Sequence, residues 1–414
     1  MNIALCHENV LPARGGCERY IADLARRLVS DGHAVHVYAC RWDAEALPPG
    51  LNYHALPAPA GPRFLRPWLF GRTCARALDG AGHDISLGFD KTWGQDILYP
   101  QGGLHSASAA HNLRKHASSP VRRLARVVKA LDLAHWSFAL LEHRQYLGRR
   151  RPLIVVNSRM VREHFQRFLG VPPQAVRVVP SAIDTDRFEE HDRPRRRVEW
   201  REHWGLRPEE TVALFAAMNY RLKGLEPLLH AVRLLPEEAP FRLLVVGSPK
   251  TGPYERLARR LGIAHRVRFA GYCPDMRNGY FAAEFLVHPT FYDPCSLVVL
   301  EALACGLPVI TTRYNGAAEH LTPPHEGYVV ADPHEHARMA WAMTQLLDPA
   351  RRTACAQAAR RTAAAWTFER HYQQLMQVIR EAAARASGSV SNPPSGPPAV
   401  RGVGATQQRN WLLG

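Results

Sequence analysis

The sequence predicts an α/β protein built from two parallel-sheet units. The first forty residues read strand, helix, strand, and a second set of the same kind opens near residue 211. A length of 414 residues, at about 150 per domain, suits two such units.

In the opening unit, Ile3, Ala4, Leu5 and Cys6 form a short apolar strand. A loop ending in Arg14, Gly15 and Gly16 follows. Tyr20, Leu24 and Leu28 recur every four residues, with Ile21 and Ala25 beside them, which predicts an amphipathic helix. Asp31 and Gly32 stop it. Val35, Val37 and Ala39 alternate with His36 and Tyr38 as in a strand. Strand, helix and strand in succession argue for a parallel sheet.

The middle is less regular. Residues 85–89 read as a strand, and Asp90, Lys91 and residues 101–105 as loops. Residues 112–151 hold ten Lys/Arg against two acids, with Val121, Leu124, Val128 and Leu131 at helical spacing. Residues 153–156 are another strand, Asn157 and Ser158 cap the next helix, and residues 176–179 close the first half.

In the second half, residues 212–215, 243–247, 267–269, 285–287 and 308–311 read as short strands. Residues 225–235 and 254–261 read as helices. Residues 296–305 form a helix with Ser296 at its start, Gly306 just past its end and Pro308 beyond. Further helices are predicted near 335–347, 350–365 and 369–386. After Ser387 the chain turns to Ser, Gly, Pro and polar residues, a tail that cannot bury a core and is expected to be disordered.

Hydrophobic residues at 46% and charged residues at 22% exclude a wholly disordered chain, and Gly 29 and Pro 32 are too few for a collagen-like one. Lys+Arg 53 against Asp+Glu 37 leaves a formal charge of +16. That excess suits an acidic partner (phosphate, nucleic acid or an anionic membrane) or an Arg-rich composition bias. The eight Cys, at 6, 17, 40, 74, 273, 295, 305 and 355, form no C-x-x-C, and none sits near a His at zinc-finger spacing. They read as reduced, mostly buried thiols of a cytoplasmic protein. No apolar run approaches the ~18 residues of a membrane span, and the first residues lack the basic flank of a signal peptide.

The most specific chemistry lies in residues 292–309. Asp293 precedes Glu301 by eight positions, and Glu301 sits among Leu297, Val298, Val299, Leu300, Ala302, Leu303 and Ala304. A carboxylate in so apolar a helix needs a partner. Either it makes a structural pair or faces solvent locally, or it accepts hydrogen bonds from a pair of ligand hydroxyls. The free N–H groups near residues 296–298 suit an anion such as phosphate.

This stretch resembles the E-x7-E motif of retaining family 4 glycosyltransferases, with Asp293 in place of the first Glu. The resemblance extends to Arg14, Gly15 and Gly16, to Asn157 and Ser158, to residues 180–188, and to residues 218–224. Gly88, Phe89, Asp90, Lys91 and the later Asp96 resemble the lipopolysaccharide core glucosyltransferase I branch. The resemblance implies a GT-B fold, two Rossmann-like domains facing across a cleft. Residues 1–179 would bind the acceptor and 180–365 the nucleotide-sugar. Residues 366–386 would cross back as a helix, leaving 387–414 as the tail.

Roles follow at the matching positions. Glu301 would accept from the ribose hydroxyls of the donor. Asp293 would meet the donor sugar, with the main-chain N–H groups of Cys295, Ser296, Leu297 and Val298 beside it. Arg221 and Lys223 would hold the diphosphate, whose charge grows as it leaves. Gly15 and Gly16 would let the first loop approach the phosphates without a Cβ. His105 is expected in a loop at the cleft, as a sugar contact or a satisfied loop residue. Glu319 is expected to cap, to contact the sugar or to be solvated.

The implied activity is retaining transfer of a hexose, glucose from UDP-glucose, to a cell-envelope glycan or glycolipid such as the lipopolysaccharide core. No cofactor beyond the nucleotide-sugar, no metal and no nucleic acid are expected. The protein is expected in the cytoplasm, on the anionic inner membrane surface. Asp184 and Asp186 form a D-x-D, but at the domain junction it reads as turn and cap chemistry. P-loop, zincin and nucleophile-elbow motifs are absent. The rival readings are a nucleotide-sugar epimerase of the same fold and a basic nucleic-acid-binding protein. The latter needs aromatics among its basic residues, and 112–151 has few.

Overall fold

The computed structural model describes residues 1–13, 15–116, 118–148, 151–188 and 191–389. Two large parallel sheets make up its core, beside a two-stranded pairing of Asn9–Val10 with Arg41–Trp42. The first has strands β1 (Asn2–Cys6), β2 (Ala34–Ala39), β3 (Leu51–Ala55), β4 (Ile85–Phe89), β5 (Ile97–Tyr99), β6 (Leu153–Val156) and β7 (Val176–Val178), in the order β3-β2-β1-β4-β5-β6-β7. The second has β8 (Thr211–Ala217), β9 (Phe241–Gly247), β10 (Val267–Gly271), β11 (Phe285–His288), β12 (Val309–Thr312) and β13 (Gly327–Val330), in the order β10-β9-β8-β11-β12-β13. Each order reverses once, between β1 and β4 and between β8 and β11. In doubly wound sheets, ligands bind beyond the strand carboxyl ends at such a switch point.

The strands are apolar on both faces because helices cover both. All five residues of β4 are buried, as are the first six of β8. The opening helix, Gly16–Ser30, buries Tyr20, Ile21, Leu24, Ala25 and Leu28, the stripe its periodicity predicts. The last helix, Phe368–Ser389, packs on the first sheet, burying Tyr372, Leu375, Met376 and Ile379 against Ile3, Leu5 and Leu24. His371 pins its start. Its Nδ1–H donates to the carbonyl of Pro180 at 2.7 Å, and its Nε2 accepts from the Tyr20 hydroxyl at 2.7 Å. Residues 390–414, where the tail is expected, lie outside the described residues.

One expectation changes and one is met. His105 is not in a loop: it opens the helix His105–Leu113. The buried Glu142 caps that helix, accepting from the N–H groups of His105 and Ser106 and from the Ser106 hydroxyl. The helix Ser119–Ala130 forms as its spacing predicts but buries none of its residues. Val121, Leu124, Val128 and Leu131 are 47%, 65%, 61% and 79% exposed.

Candidate active site

The site lies where the carboxyl ends of the two sheets face each other. After β11 the chain turns through residues 289–296 into the helix Leu297–Ala304. Asp293 is pinned there by its backbone. Its N–H donates to the Tyr314 carbonyl and its carbonyl accepts from Gly316, each at 2.9 Å. Its carboxylate receives the Lys223 ammonium at 2.6 Å, with His288 Nε2 at 3.7 Å. Burial alone raises the Asp293 carboxyl, but Lys223 and His288 outweigh it and hold the group well below the usual carboxylate range.

Lys223 reaches this point because Gly224 turns the chain after β8. Gly224 has φ 82°, and a Cβ there would lie 2.1 Å from the carbonyl oxygen of Pro289. No other residue fits that approach. Arg221, two residues earlier, points elsewhere. It is exposed and lies 3.4 Å from His116 Nδ1 of the first domain. The two cations expected on one diphosphate therefore engage different partners.

Glu301 lies one turn into the helix. Its carboxylate accepts from the Tyr280 hydroxyl at 2.5 Å. Burial raises its pKa, and Tyr280, Arg19 and Arg187 pull it back in part. With Arg19, Tyr20, Asp184, Arg187 and Phe368, Glu301 lines a cavity of about 20 Å³ between the domains. That space suits a water rather than a ribose.

The helix start faces the first loop. A Cβ on Gly16 would lie 3.1 Å from Leu297 Cδ1, so glycine permits the approach of the two domains. Gly15 abuts Glu18, whose Oε2 is 2.7 Å from where a Cβ would stand. Arg14 lies outside the described residues. The four expected main-chain donors are not equivalent. Ser296 N–H is taken by Asn315 Oδ1 at 3.2 Å, and Ser296 Oγ sits 3.4 Å from His288 rather than capping the helix. Cys295 is buried, and burial pushes its thiol up to about 12. Leu297 and Val298 hold the first-turn N–H groups that a helix start leaves without intrahelical acceptors.

Glu319 spans the domains. Its carboxylate accepts from the N–H groups of Arg159 (3.0 Å) and Met160 (2.8 Å), capping the helix Arg159–Leu169 of the first sheet. Ser158 caps the same helix through Val161 N–H and donates to the Pro294 carbonyl at 2.7 Å. Asp96 lies elsewhere. It accepts from Ser86 N–H (2.9 Å) and Ser86 Oγ (2.6 Å) beside the amino end of β4, away from the cleft. The Asp184 carboxylate accepts from Asp186 N–H at 3.2 Å, the turn chemistry its position predicts.

On the first domain's side lies a cavity of about 380 Å³. His7, Asp90, Lys91, His105, Glu142 and Gln145 are among its lining residues. Burial, with help from His135, Lys129 and Lys91, lowers His105 to about 4, so it is a neutral imidazole at pH 7. Sequence reasoning missed Tyr280, His288, His7 and Glu142. Each becomes visible only through a partner 5 to 83 residues away.

Two family models match this chain. Residues 14–187 match Glycosyltransferase Family 4, and residues 196–362 match Glycosyl transferases group 1. The lipopolysaccharide glucosyltransferase WaaG of Escherichia coli (strain K12) is 24% identical over 336 residues, covering 80% of this chain and 86% of the relative. A D-inositol 3-phosphate glycosyltransferase of Catenulispora acidiphila is 28% identical over 379 residues, covering 82% and 83%. The crystal structure of WaaG superposes with a TM-score of 0.74 at 23% identity, covering 91% of this chain and 99% of that one. The two sheets, the facing carboxyl ends and both family matches make this chain a glycosyltransferase of the family 4 type, with the GT-B fold.

Proposed function

We propose that this chain is a retaining hexosyltransferase that moves glucose from UDP-glucose to a cell-envelope glycan or glycolipid, such as the lipopolysaccharide core, at an anionic membrane surface. One observation carries the reading of the donor site. Glu301 and the Lys223–Asp293 pair flank the first turn of one helix, which meets Gly16 across the cleft. In this reading Glu301 holds the ribose and Asp293 the sugar. Lys223, Arg221 and the N–H groups of Leu297 and Val298 hold the diphosphate. Positive charge and a helix start then stabilise the leaving group as its charge grows. The leaving phosphate takes the acceptor's proton during attack on the same face. Asp293 and Glu301 are not the paired carboxyls of a retaining glycosidase, which flank one glycosidic bond. The small space at Glu301 implies that the domains part to admit the donor.

The membrane reading rests on the helix Ser119–Ala130. It turns Val121, Leu124, Val127 and Val128 outward and carries Arg122, Arg123, Arg126 and Lys129. Leu131, Leu133 and Leu140 continue the exposed apolar surface. Such a helix lies in an interface, and each basic residue adds about 1 kcal/mol near anionic lipid. Among the described residues no helix is long and apolar enough to cross a membrane. The similarity to an inositol phosphate glycosyltransferase supports a water-soluble acceptor, but that exposed helix favours a membrane-borne one.

A panel of UDP-, GDP- and ADP-sugars, read as hydrolysis and transfer, tests the reading. UDP-glucose should be preferred and the product should keep the donor's anomeric configuration. Preference for another base, or an inverted product, would contradict it.

A further inference from the structure

We propose that His7, Cys17 and Asp90 form a three-ligand binding site for a zinc ion, at the mouth of the cavity on the first domain's side of the cleft. Nothing in the transfer chemistry above uses this cluster. The three residues come from β1's carboxyl end, the first turn of the helix Gly16–Ser30 and the residue after β4. The sheet's switch point therefore brings them together. Their ligand atoms all lie within 4.8 Å of one another.

The two separations measured from His7 fit a tetrahedral ion. Zn–N, Zn–O and Zn–S bonds of about 2.0–2.3 Å place neighbouring ligands about 3.3–3.8 Å apart. His7 Nε2 is 3.6 Å from Asp90 Oδ2 and 3.7 Å from Cys17 Sγ. A thiolate, an imidazole and a carboxylate are a zinc ligand set, softer than the all-oxygen sets of magnesium or calcium.

The outer contacts orient each ligand. His7 Nδ1 lies 2.7 Å from the Asn9 carbonyl, which holds a ring proton on Nδ1 and leaves Nε2 facing the cluster. Asp90 Oδ1 accepts from Gly102 N–H at 3.0 Å, leaving Oδ2 for the cluster. The backbone of Asp90 has φ 55°, the one positive φ outside glycine among the described residues. Gln145, itself buried, donates to its carbonyl. Asp is one of the few residues besides glycine that adopt this region readily. Without a cation, a neutral His7 would point a lone pair at a carboxylate oxygen. The alternative arrangement is a protonated His7 paired with Asp90, and the experiment separates the two.

Binding exchanges waters of the hydrated ion for Zn–N, Zn–O and Zn–S bonds, and those waters and the Cys17 thiol proton pass to solvent. His7 and Asp90 line the cavity, so the fourth position opens toward it and takes water.

The test uses the full chain, reduced and freed of metal with a chelator. Co²⁺ titration should saturate at one ion per chain with sulfur-to-cobalt charge-transfer absorption. Zn²⁺ should displace the cobalt and abolish the absorption. Cys17→Ser should lose the absorption while its circular dichroism is unchanged, and Cys17→Ala serves where Ser disturbs folding. His7→Gln and Asp90→Asn should each weaken Zn²⁺ binding at least tenfold in competition with a chromophoric chelator. Absence of cobalt absorption in the wild type would overturn the site in favour of the His7–Asp90 pair. Absorption that persists in both Cys17 variants would assign the metal to another thiol and overturn it equally. Donor binding enters neither readout, so failure here is distinct from failure of the proposed transfer reaction.

Discussion

Lys223 and Asp293 meet at 2.6 Å across the floor of the cleft. The cation assigned to the donor phosphates and the carboxylate assigned to the donor sugar thus neutralise each other. The side chains are only 21% and 14% exposed. Removing one partner leaves the other charge buried, a loss of about 3–5 kcal/mol at fully buried sites and less at this exposure. Lys223→Ala should therefore both slow transfer and lower the melting temperature. Arg221 is exposed, with His116 at 3.4 Å, so Arg221→Ala should slow transfer and leave melting unchanged. Each should cost roughly 2–4 kcal/mol in transition-state stabilisation. Steady-state kinetics and thermal melts of both variants check this. Wild-type rates in either would remove that cation from the phosphate site.

In the proposed function these cations act on the leaving group, so chelation should leave transfer largely intact, even with the proposed zinc removed. Complete loss with EDTA, restored by Mg²⁺ or Mn²⁺, would place a metal in the reaction and direct attention to Asp184 and Asp186.

The exposed helix Ser119–Ala130 should bind anionic vesicles, weakening steeply with salt because charge attraction is screened. Neutral vesicles should bind poorly. Leu124→Ser with Val128→Ser should reduce binding at all salt concentrations, since those side chains are 65% and 61% exposed. Vesicle sedimentation measures both. Equal binding to neutral and anionic vesicles would contradict the reading.

Acid should loosen the joint between the domains. His371 is 2% exposed, and burial lowers it to about 4. A histidine with a depressed folded pKa is neutral in the fold and takes up a proton on unfolding. Its contribution is whole above the unfolded value of about 6.5 and is lost as pH falls toward 4, at about 1.4 kcal/mol per pH unit. His164 and His320, also lowered to about 4 by burial, act in the same direction. Melting temperature should fall from pH 6.5 to pH 4.5, and less steeply in His371→Gln. An identical pH slope in that variant would remove His371 as a cause.

Much of the fold was legible because apolar period and punctuation agree. The opening strand–helix–strand and the helix after Ser296 stand where the pattern puts them. The helix Arg193–His203 was not legible, since it buries only Arg201 and shows no apolar stripe. β5 has only three residues. His105 reads as a loop because Gly102 and Gly103 precede it, while its cap, Glu142, comes 37 residues later. The same limit applies at the site. Glu301 announces itself by its apolar neighbours, but Tyr280 does not. The clasp of Glu319 on Arg159 and Met160 joins residues 160 and 159 positions apart. Cys17 and His7, spaced unlike any zinc finger, become a pair only when β1 and the following helix fold.

The division of labour between the two acids is the central claim. Glu301, beside Tyr280 and assigned to the ribose in the proposed function, should matter whatever sugar is attached. Asp293, beside Lys223, should matter only when a sugar is present. Calorimetric titration of Glu301→Gln and Asp293→Asn with UDP and with UDP-glucose measures it directly. Glu301→Gln should lose about 1.5–3 kcal/mol for both ligands, the worth of a hydrogen bond to a charged group. Asp293→Asn should lose that much for UDP-glucose and bind UDP as the wild type does. Equal loss of UDP affinity in both variants would contradict the account.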